Sequence, residues 1–164
     1  MVSPVGRIDD RLAELGLELP EPIQPPPGIE FRFERVLVYG GLAYVSGHGP
    51  MDGSEVLASG KVGDAVTLEE GAHAARLTAL QMLASLREEL GDLDRVTRWV
   101  KALGLVNCAP GFNQTPAVVN GFSELVLELW GDAGRHSRSA IGVAELPFDW
   151  PIEIEATVEV DGGA

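Results

Sequence analysis

Two residues of this sequence have side chains suited to chemistry on a small acid. Arg138 carries a planar, permanently charged guanidinium whose donors match both oxygens of a carboxylate. Glu153, fifteen residues further on, carries a carboxylate that could take a proton from water as a general base. Each also has an ordinary explanation. Arg138 could pair with one of the many acidic residues, and Glu153 lies on the polar side of an alternating strand, where a solvated acidic face is expected.

The remaining reactive side chains form no metal or disulfide motif. His48, His73 and His136 are scattered, and no Cys/His spacing indicates zinc. Cys108 is the single cysteine, so it cannot form an internal disulfide, which suits a reducing compartment. We therefore expect no metal.

Composition excludes several classes of function. The chain has 12 Lys and Arg against 25 Asp and Glu, and its net charge of -13 repels a phosphate backbone. It contains no basic cluster that would offset this, so we expect no nucleic-acid partner. No apolar run approaches the roughly 20 residues that span a bilayer, and the N-terminus lacks the pattern of a signal peptide. These features favour a cytoplasmic protein with no membrane partner.

The N-terminal region differs in composition from the rest of the 164 residues. Residues 7–17 have the apolar spacing of a short amphipathic helix. The proline-rich run at 20–28 then predicts an extended linker, because proline fixes φ and lacks an N–H donor. We interpret 1–28 as an N-terminal extension with its linker and 29–164 as the main domain.

The main domain alternates strand-like and helix-like segments. Strands are predicted at 31–39, 42–47, 96–106, 136–146 and 152–160, and helices run from Thr67 to Gly91 and from Pro116 to Gly131. Gly40-Gly41 predicts a type I′ hairpin turn, and Thr67 with Glu70 predicts a capping box. Residues 48–66 read as a long loop. The order β-β-α-β-α-β-β predicts an α+β fold, in which two helices cover one face of a mixed sheet and the other face is left for self-association.

Three segments together carry a recognisable pattern: YVSGHGP at 44–50, VVNGFSEL at 118–125 and RSAIGVAELPFDWPIEIEA at 138–156. They resemble the RidA (YjgF) family, which is also labelled the endoribonuclease L-PSP family. The third segment is the most specific, because Arg-Ser, Leu-Pro and Ile-Glu-Ile-Glu keep the order and spacing of the family. The resemblance covers about residues 29–160, and a longer subgroup of the family has an extended N-terminus like this one.

The resemblance implies a chorismate-mutase-like fold and a homotrimer with pockets between subunits. Deaminating members of the family add water to 2-imino or 2-enamino acids and release a 2-oxoacid and ammonia, without a cofactor or a metal. The expected partners are therefore a small carboxylate-bearing imine, enamine or 2-oxoacid and further copies of this chain.

The family's functional positions can be carried over residue by residue. By resemblance, Arg138 would fix the substrate carboxylate, and Glu153 would orient or partly deprotonate the attacking water. Asn120 stands at the position of the family's pocket-edge asparagine. Gly47 stands where the family's backbone lies close to the ligand, and glycine permits that approach.

Three further positions depart from the family pattern, and all three are predicted to contact substrate. Phe33 replaces a pocket-facing tyrosine, so the apolar wall is kept and the hydroxyl is lost. His48 stands where the family has glutamine, and an ordinary surface histidine is the alternative. Ala140 replaces a frequent cysteine, which leaves only a role through its backbone. These changes predict a substrate preference different from that of the archetype.

Two other functions compete with the deaminase. A non-enzymatic trimer could use the same arginine to bind a carboxylate ligand without turnover, and the sequence does not separate this hypothesis from catalysis. Ribonuclease activity is attached to the family by name, but the charge of -13 and the absence of a basic groove argue against it here.

Overall fold

The computed structural model describes residues 6–25 and 27–162. Residues 1–5 and Pro26, which belong to the predicted extension and linker, lie outside the described residues. The described residues form the α-helices α1 (Arg7–Glu14), α2 (Leu68–Leu90) and α3 (Thr115–Trp130) and the strands β1 (Val36–Tyr39), β2 (Leu42–His48), β3 (Met51–Asp52), β4 (Glu55–Val56), β5 (Val96–Asn107), β6 (Ser137–Val143) and β7 (Ile152–Val160).

A five-stranded mixed sheet organises the fold. Its order is β1-β2-β7-β5-β6, and β3 pairs with β4 in a separate small hairpin. All neighbours in the large sheet are antiparallel except β5 and β6, which run parallel. Parallel strands need a crossover connection, and α3 supplies it. The predicted α+β fold with a mixed sheet is confirmed.

Helix α2 begins and ends where the sequence indicates. The side chain of Thr67 accepts from the backbone N–H of Glu70, and the side chain of Glu70 accepts from the N–H of Thr67. This reciprocal pair is the predicted capping box. Gly91, at φ 80°, ends the helix in a conformation that favours glycine.

The core lies between the sheet and helices α2 and α3. Trp99 of β5 is fully buried and packs edge-to-face against Phe122 and Trp130 of α3, with ring centroids 5.5 and 5.4 Å apart. Helices α2 and α3 approach closely at Gly121, because a Cβ at this position would overlap the backbone carbonyl oxygen of Ala72 in α2. This close crossing fixes α3, and therefore its polar side chains, relative to the sheet.

The N-terminal segment packs on the same core as the rest of the chain. Ile8 and Leu12 of α1 are 0% and 4% exposed and belong to the main apolar cluster. Further along, the backbone of Glu21 and Gln24 bonds to Gly53 in the β3–β4 hairpin. The predicted boundary at residue 28 therefore does not separate two cores.

Two local predictions needed correction. The predicted strand at 31–39 begins only at Val36, because Phe31 turns away to pack near a second apolar cluster that contains Trp150. The predicted loop at 48–66 contains the β3–β4 hairpin.

In the Gly40-Gly41 turn both glycines have positive φ, at 62° and 78°, as the hairpin prediction required.

Within residues 6–25 and 27–162, no helix is both long enough and apolar enough to cross a membrane.

Candidate functional site

Arg138 is held in place by helix α3. Its Nη1 donates to Asn120 Oδ1 and to Ser123 Oγ, at 3.0 Å each, and its Nη2 donates to the carbonyl oxygen of Pro116 at 3.2 Å. All three partners are acceptors, so they orient the guanidinium without neutralising it. Among the described residues, no carboxylate lies within ion-pair distance of Arg138.

The unused donors of Arg138 can bind an anion. An arginine has five N–H donors, and the three bonds to α3 leave one on Nε and one on Nη2. Two such donors form the fork that binds both oxygens of a carboxylate. Burial lowers the pKa of Arg138, but an arginine keeps its charge at neutral pH. As far as residues 6–25 and 27–162 show, the half-buried guanidinium is therefore a pre-oriented cation with two unused donors.

Glu153 lies against Gly47 on the neighbouring strand. A Cβ at position 47 would overlap the Glu153 carboxyl group, so glycine is what lets this carboxylate lie over β2. Burial, and to a lesser degree the negative charge of Glu155, raises the pKa of Glu153. A carboxylate with a raised pKa is a better proton acceptor near neutral pH than an exposed glutamate.

The sheet register places Arg138 and Glu153 on opposite faces. Arg138 pairs with Ala102, which is fully buried under the helices. Glu153 pairs with Leu105 and lies between the buried Ile152 and Ile154, so its side chain points to the face without helices. These two predicted catalytic residues therefore do not meet within one protomer.

The other predicted contacts divide in the same way. Asn120 bonds Arg138 directly, and half-buried Ala140 follows Arg138 on the same side of β6. Phe33 is 56% exposed and lines a cavity of about 460 Å³ on the open face, together with Tyr44 and Glu155. One half of the predicted site thus lies at β6 and α3, and the other lies on the open face around β2 and β7.

His48 must be removed from the predicted ligand contacts. Its side chain is 1% exposed and lies between β2 and α2, where Nδ1 bonds the Ser46 carbonyl oxygen at 2.6 Å and Nε2 bonds Ser85 Oγ at 2.8 Å. Since a carbonyl only accepts, Nδ1 carries the proton and Nε2 accepts from the serine hydroxyl. The ring is part of the core and is not available to a ligand.

Buried His48 makes the fold sensitive to acid. Burial lowers the pKa of His48 to about 4, whereas an unfolded histidine titrates near 6.5. The unfolded chain takes up a proton first as the pH falls, so stability present above pH 6.5 is lost on the way down to pH 4. Between pH 7 and pH 5 we expect this residue alone to lower the free energy of unfolding by about 2 kcal/mol. Urea unfolding at both pH values checks this, with His48→Gln showing a smaller loss. An equal loss in both proteins would assign the acid sensitivity to other groups.

Sequence reasoning missed Ser123 and the carbonyl oxygen of Pro116 as partners of Arg138. Ser123 was detectable, because it stands three residues after Asn120 and residues at that spacing share one face of a helix. The Pro116 carbonyl could not be found from the sequence, because every residue has a backbone carbonyl. Only the packing of β6 on α3 places this one beside Arg138.

The fold and the site together define a class of protein: an α+β domain with a mixed sheet, a helix-anchored arginine at one sheet edge and an uncovered opposite face. A family model described as YjgF/chorismate mutase-like, "putative endoribonuclease", matches residues 9–150. The chain belongs to this family.

Individual relatives match this chain over nearly its whole length. Protein TCP17 of Trypanosoma cruzi is 38% identical over 157 residues, which is 95% of this chain and 96% of the relative. The crystal structure of Atu1372 from Agrobacterium tumefaciens, a protein of unknown function, is 37% identical, with a TM-score of 0.83 over 94% of this chain and 92% of that one. A "putative endoribonuclease" from Shewanella oneidensis is 30% identical, with a TM-score of 0.85 over 93% and 99%.

Proposed function

We propose that this protein is a hydrolytic deaminase of reactive 2-imino and 2-enamino acids. A 2-enamino acid first tautomerises to the imine, with a proton lost from nitrogen and one gained at C3. The reaction then adds water to the C=N carbon and expels ammonia, which leaves a 2-oxoacid. The observation that carries the proposal is the unneutralised guanidinium of Arg138, which α3 holds with two donors free. Every substrate of this class has a carboxylate next to the reacting carbon, so this fork binds the one group that they share.

Binding through the carboxylate also orients the reacting carbon. Fixing both oxygens on Arg138 leaves the adjacent C=N carbon at a constant distance and direction, which removes most of the orientational cost of attack. Glu153, with its raised pKa, takes a proton from the attacking water. Glu153 returns that proton to the nitrogen, and the second proton of the water follows as the C=O bond forms, so the nitrogen leaves as ammonia. The residues supply positioning and proton transfer, and the mechanism calls for no cofactor.

Completion of the site requires a second copy of the chain in this proposal. Arg138 and Glu153 face opposite sides of the sheet, and the open face carries apolar side chains that water would otherwise cover. Leu37, Tyr44 and Ile141 on that face are between 43% and 52% exposed. Packing the open face of one protomer near the β6 edge of the next would bring the two halves of the site together. Following the family resemblance, the proposed assembly has three subunits.

The direct test is ammonia release from 2-iminobutanoate generated by an amino-acid oxidase or dehydratase. Because imines hydrolyse unaided, the wild-type rate is compared with the rate without protein. We expect acceleration in proportion to protein concentration. If release is not accelerated with small, aromatic or acidic imino acids, the deaminase proposal is wrong.

Replacing Glu153 by glutamine separates catalysis from binding. We expect Glu153→Gln to lower turnover on the order of tenfold to a hundredfold, because an amide cannot take the proton from water. Binding of 2-oxobutanoate, a stable analogue, should stay within about twofold of wild type by calorimetry, because the carboxylate fork is intact. Glu159→Gln, on the same strand and exposed, is the matched control. Wild-type turnover in Glu153→Gln would remove this residue from the mechanism.

A second candidate is a carboxylate-binding trimer without turnover. It is favoured by the separation of Glu153 from Arg138 within one protomer, since the anion fork alone suffices to bind a ligand. In that case 2-oxobutanoate would bind through Arg138, and ammonia release would match the rate without protein.

An endoribonuclease function, which the family description contains, is less favoured. The net charge of -13 opposes binding of a phosphate backbone. We place the proposed reaction in the cytoplasm, in keeping with the single cysteine.

A further inference from the structure

A small basic cavity adjoins Arg138 on the helix side of β6. Its volume is about 210 Å³, and it is lined by Ser123, Leu127, Gly134, Arg135, His136 and Arg138. No carboxylate of the described residues lines it, although the chain as a whole has 25 acidic residues against 12 basic ones. A space of this size is smaller than the ~300–1,000 Å³ typical of sites for drug-sized ligands. The cavity therefore suits a small anion.

Ser123 and His136 form a connected pair inside this cavity. His136 Nδ1 bonds the carbonyl oxygen of Gly134 at 2.7 Å, and its Nε2 lies 3.0 Å from Ser123 Oγ. Because the carbonyl can only accept, the proton is on Nδ1 and Nε2 accepts from the serine hydroxyl. Ser123 Oγ in turn accepts from Arg138 Nη1. Protonation of Nε2 would place a second positive charge beside Arg138.

Arg135 is a third basic group, and it lies at the exposed rim of the cavity. Its side chain is 73% exposed, and its ion pair with Asp132, at 3.1 Å, joins two strongly exposed groups. Such surface pairs stabilise a protein little, so a ligand anion can compete for the arginine. In the described part of the chain, Arg135 and Arg138 are the permanent cations that line the cavity around His136, and Asp132 is the acid that pairs with Arg135.

We propose that this cavity binds the second carboxylate of a dicarboxylic ligand, so that the preferred substrates are 2-imino acids with an acidic side chain. The 2-carboxylate is held by the free donors of Arg138, and the distal carboxylate lies among Arg135, His136 and Ser123. This inference rests on the proposed function, because it assumes that Arg138 holds the 2-carboxylate. It adds the substrate class, which that function leaves open.

Calorimetry with two stable 2-oxoacids tests the inference. 2-Oxobutanoate has one carboxylate and 2-oxoglutarate has two. At pH 7.5 we expect wild type to bind 2-oxoglutarate about fivefold more tightly, which is the effect of one or two partly exposed ion pairs. Arg135→Gln should remove most of this difference and leave 2-oxobutanoate binding within about twofold. Arg7→Gln removes an equal charge from α1, where the side chain is 64% exposed, and should behave as wild type.

The pH dependence gives a second readout that a general change in charge would not produce. Burial, and to a lesser degree the charge of Arg138, lowers the pKa of His136 in the free protein. A bound carboxylate opposes this shift and favours the protonated ring, so the preference for 2-oxoglutarate should grow as the pH falls from 7.5 towards 5.5. His136→Gln should lack this growth. Equal binding of the two acids by wild type, or an unchanged preference in Arg135→Gln, would overturn the inference and leave the proposed function standing. If wild type bound neither acid, both the inference and the Arg138 site would be wrong.

Discussion

Replacing Arg138 by glutamine is expected to lower ammonia release from 2-iminobutanoate at least about a hundredfold, measured as kcat/KM above the unassisted rate. The guanidinium contributes two charged hydrogen bonds to the substrate carboxylate, and such bonds stabilise by about 1.5–3 kcal/mol each. A loss of about 3 kcal/mol corresponds to roughly a hundredfold. The same variant should lose measurable binding of 2-oxobutanoate, because turnover and binding both depend on the guanidinium donors of Arg138.

Arg138→Lys refines this prediction. Lysine keeps the charge but lacks the planar fork, so it cannot both bond the acceptors on α3 and present two donors to a ligand. We expect it to recover only a small part of the lost activity. Arg7→Gln is the control for net charge, and thermal unfolding of each variant shows whether the fold is intact. A folded Arg138→Gln protein with wild-type kinetics would show that another residue holds the substrate.

The second prediction with a large effect concerns Gly121→Ala. This substitution should destabilise the protein, although glycine-to-alanine substitutions in helices usually stabilise it. Replacing a helical glycine by alanine normally stabilises a helix by about 0.5–1 kcal/mol. At Gly121 the added Cβ would meet the backbone carbonyl of Ala72, which cannot rotate away. We expect Gly121→Ala to lower the free energy of unfolding by about 2–3 kcal/mol, as overpacked cores do. Urea unfolding followed by circular dichroism measures this change.

Gly71 offers a matched control on α2. It too is a helical glycine, but an added Cβ would meet methyl groups of Val62 and Val118 at 3.1 and 3.3 Å, which can shift slightly. Gly71→Ala should therefore have a smaller effect than Gly121→Ala. Since Asn120 and Ser123 flank Gly121, displacement of α3 should also weaken carboxylate binding. A Gly121→Ala protein as stable as wild type would mean that the two helices separate without loss.

Local sequence determined the elements whose ends depend on neighbouring residues. Thr67 and Glu70 fix the start of α2 because the capping box uses side chains three residues apart. Gly40-Gly41 fixes the first hairpin because both turn positions need positive φ. The final strand was predicted at 152–160 and is observed there. The alternation of apolar and polar residues is enough to identify this strand and to assign each side chain to one of its two faces. The residue types likewise indicated that Arg138 could bind an acid.

The tertiary structure alone decided which of these residues meet. Alternation shows that Glu153 is on the polar face of its strand, but the strand order decides that this is the face opposite Arg138. His48 is polar and is the last residue of β2, yet packing against α2 buries it beside Ser85. Ser123 of α3, Arg138 of β6 and His136 in the connection just before β6 are brought together by the β5–α3–β6 crossover. Sequence patterns therefore specify helices, turns and strand faces, because these depend on near neighbours, whereas the shared site depends on contacts between distant segments that only the packed sheet and helices create.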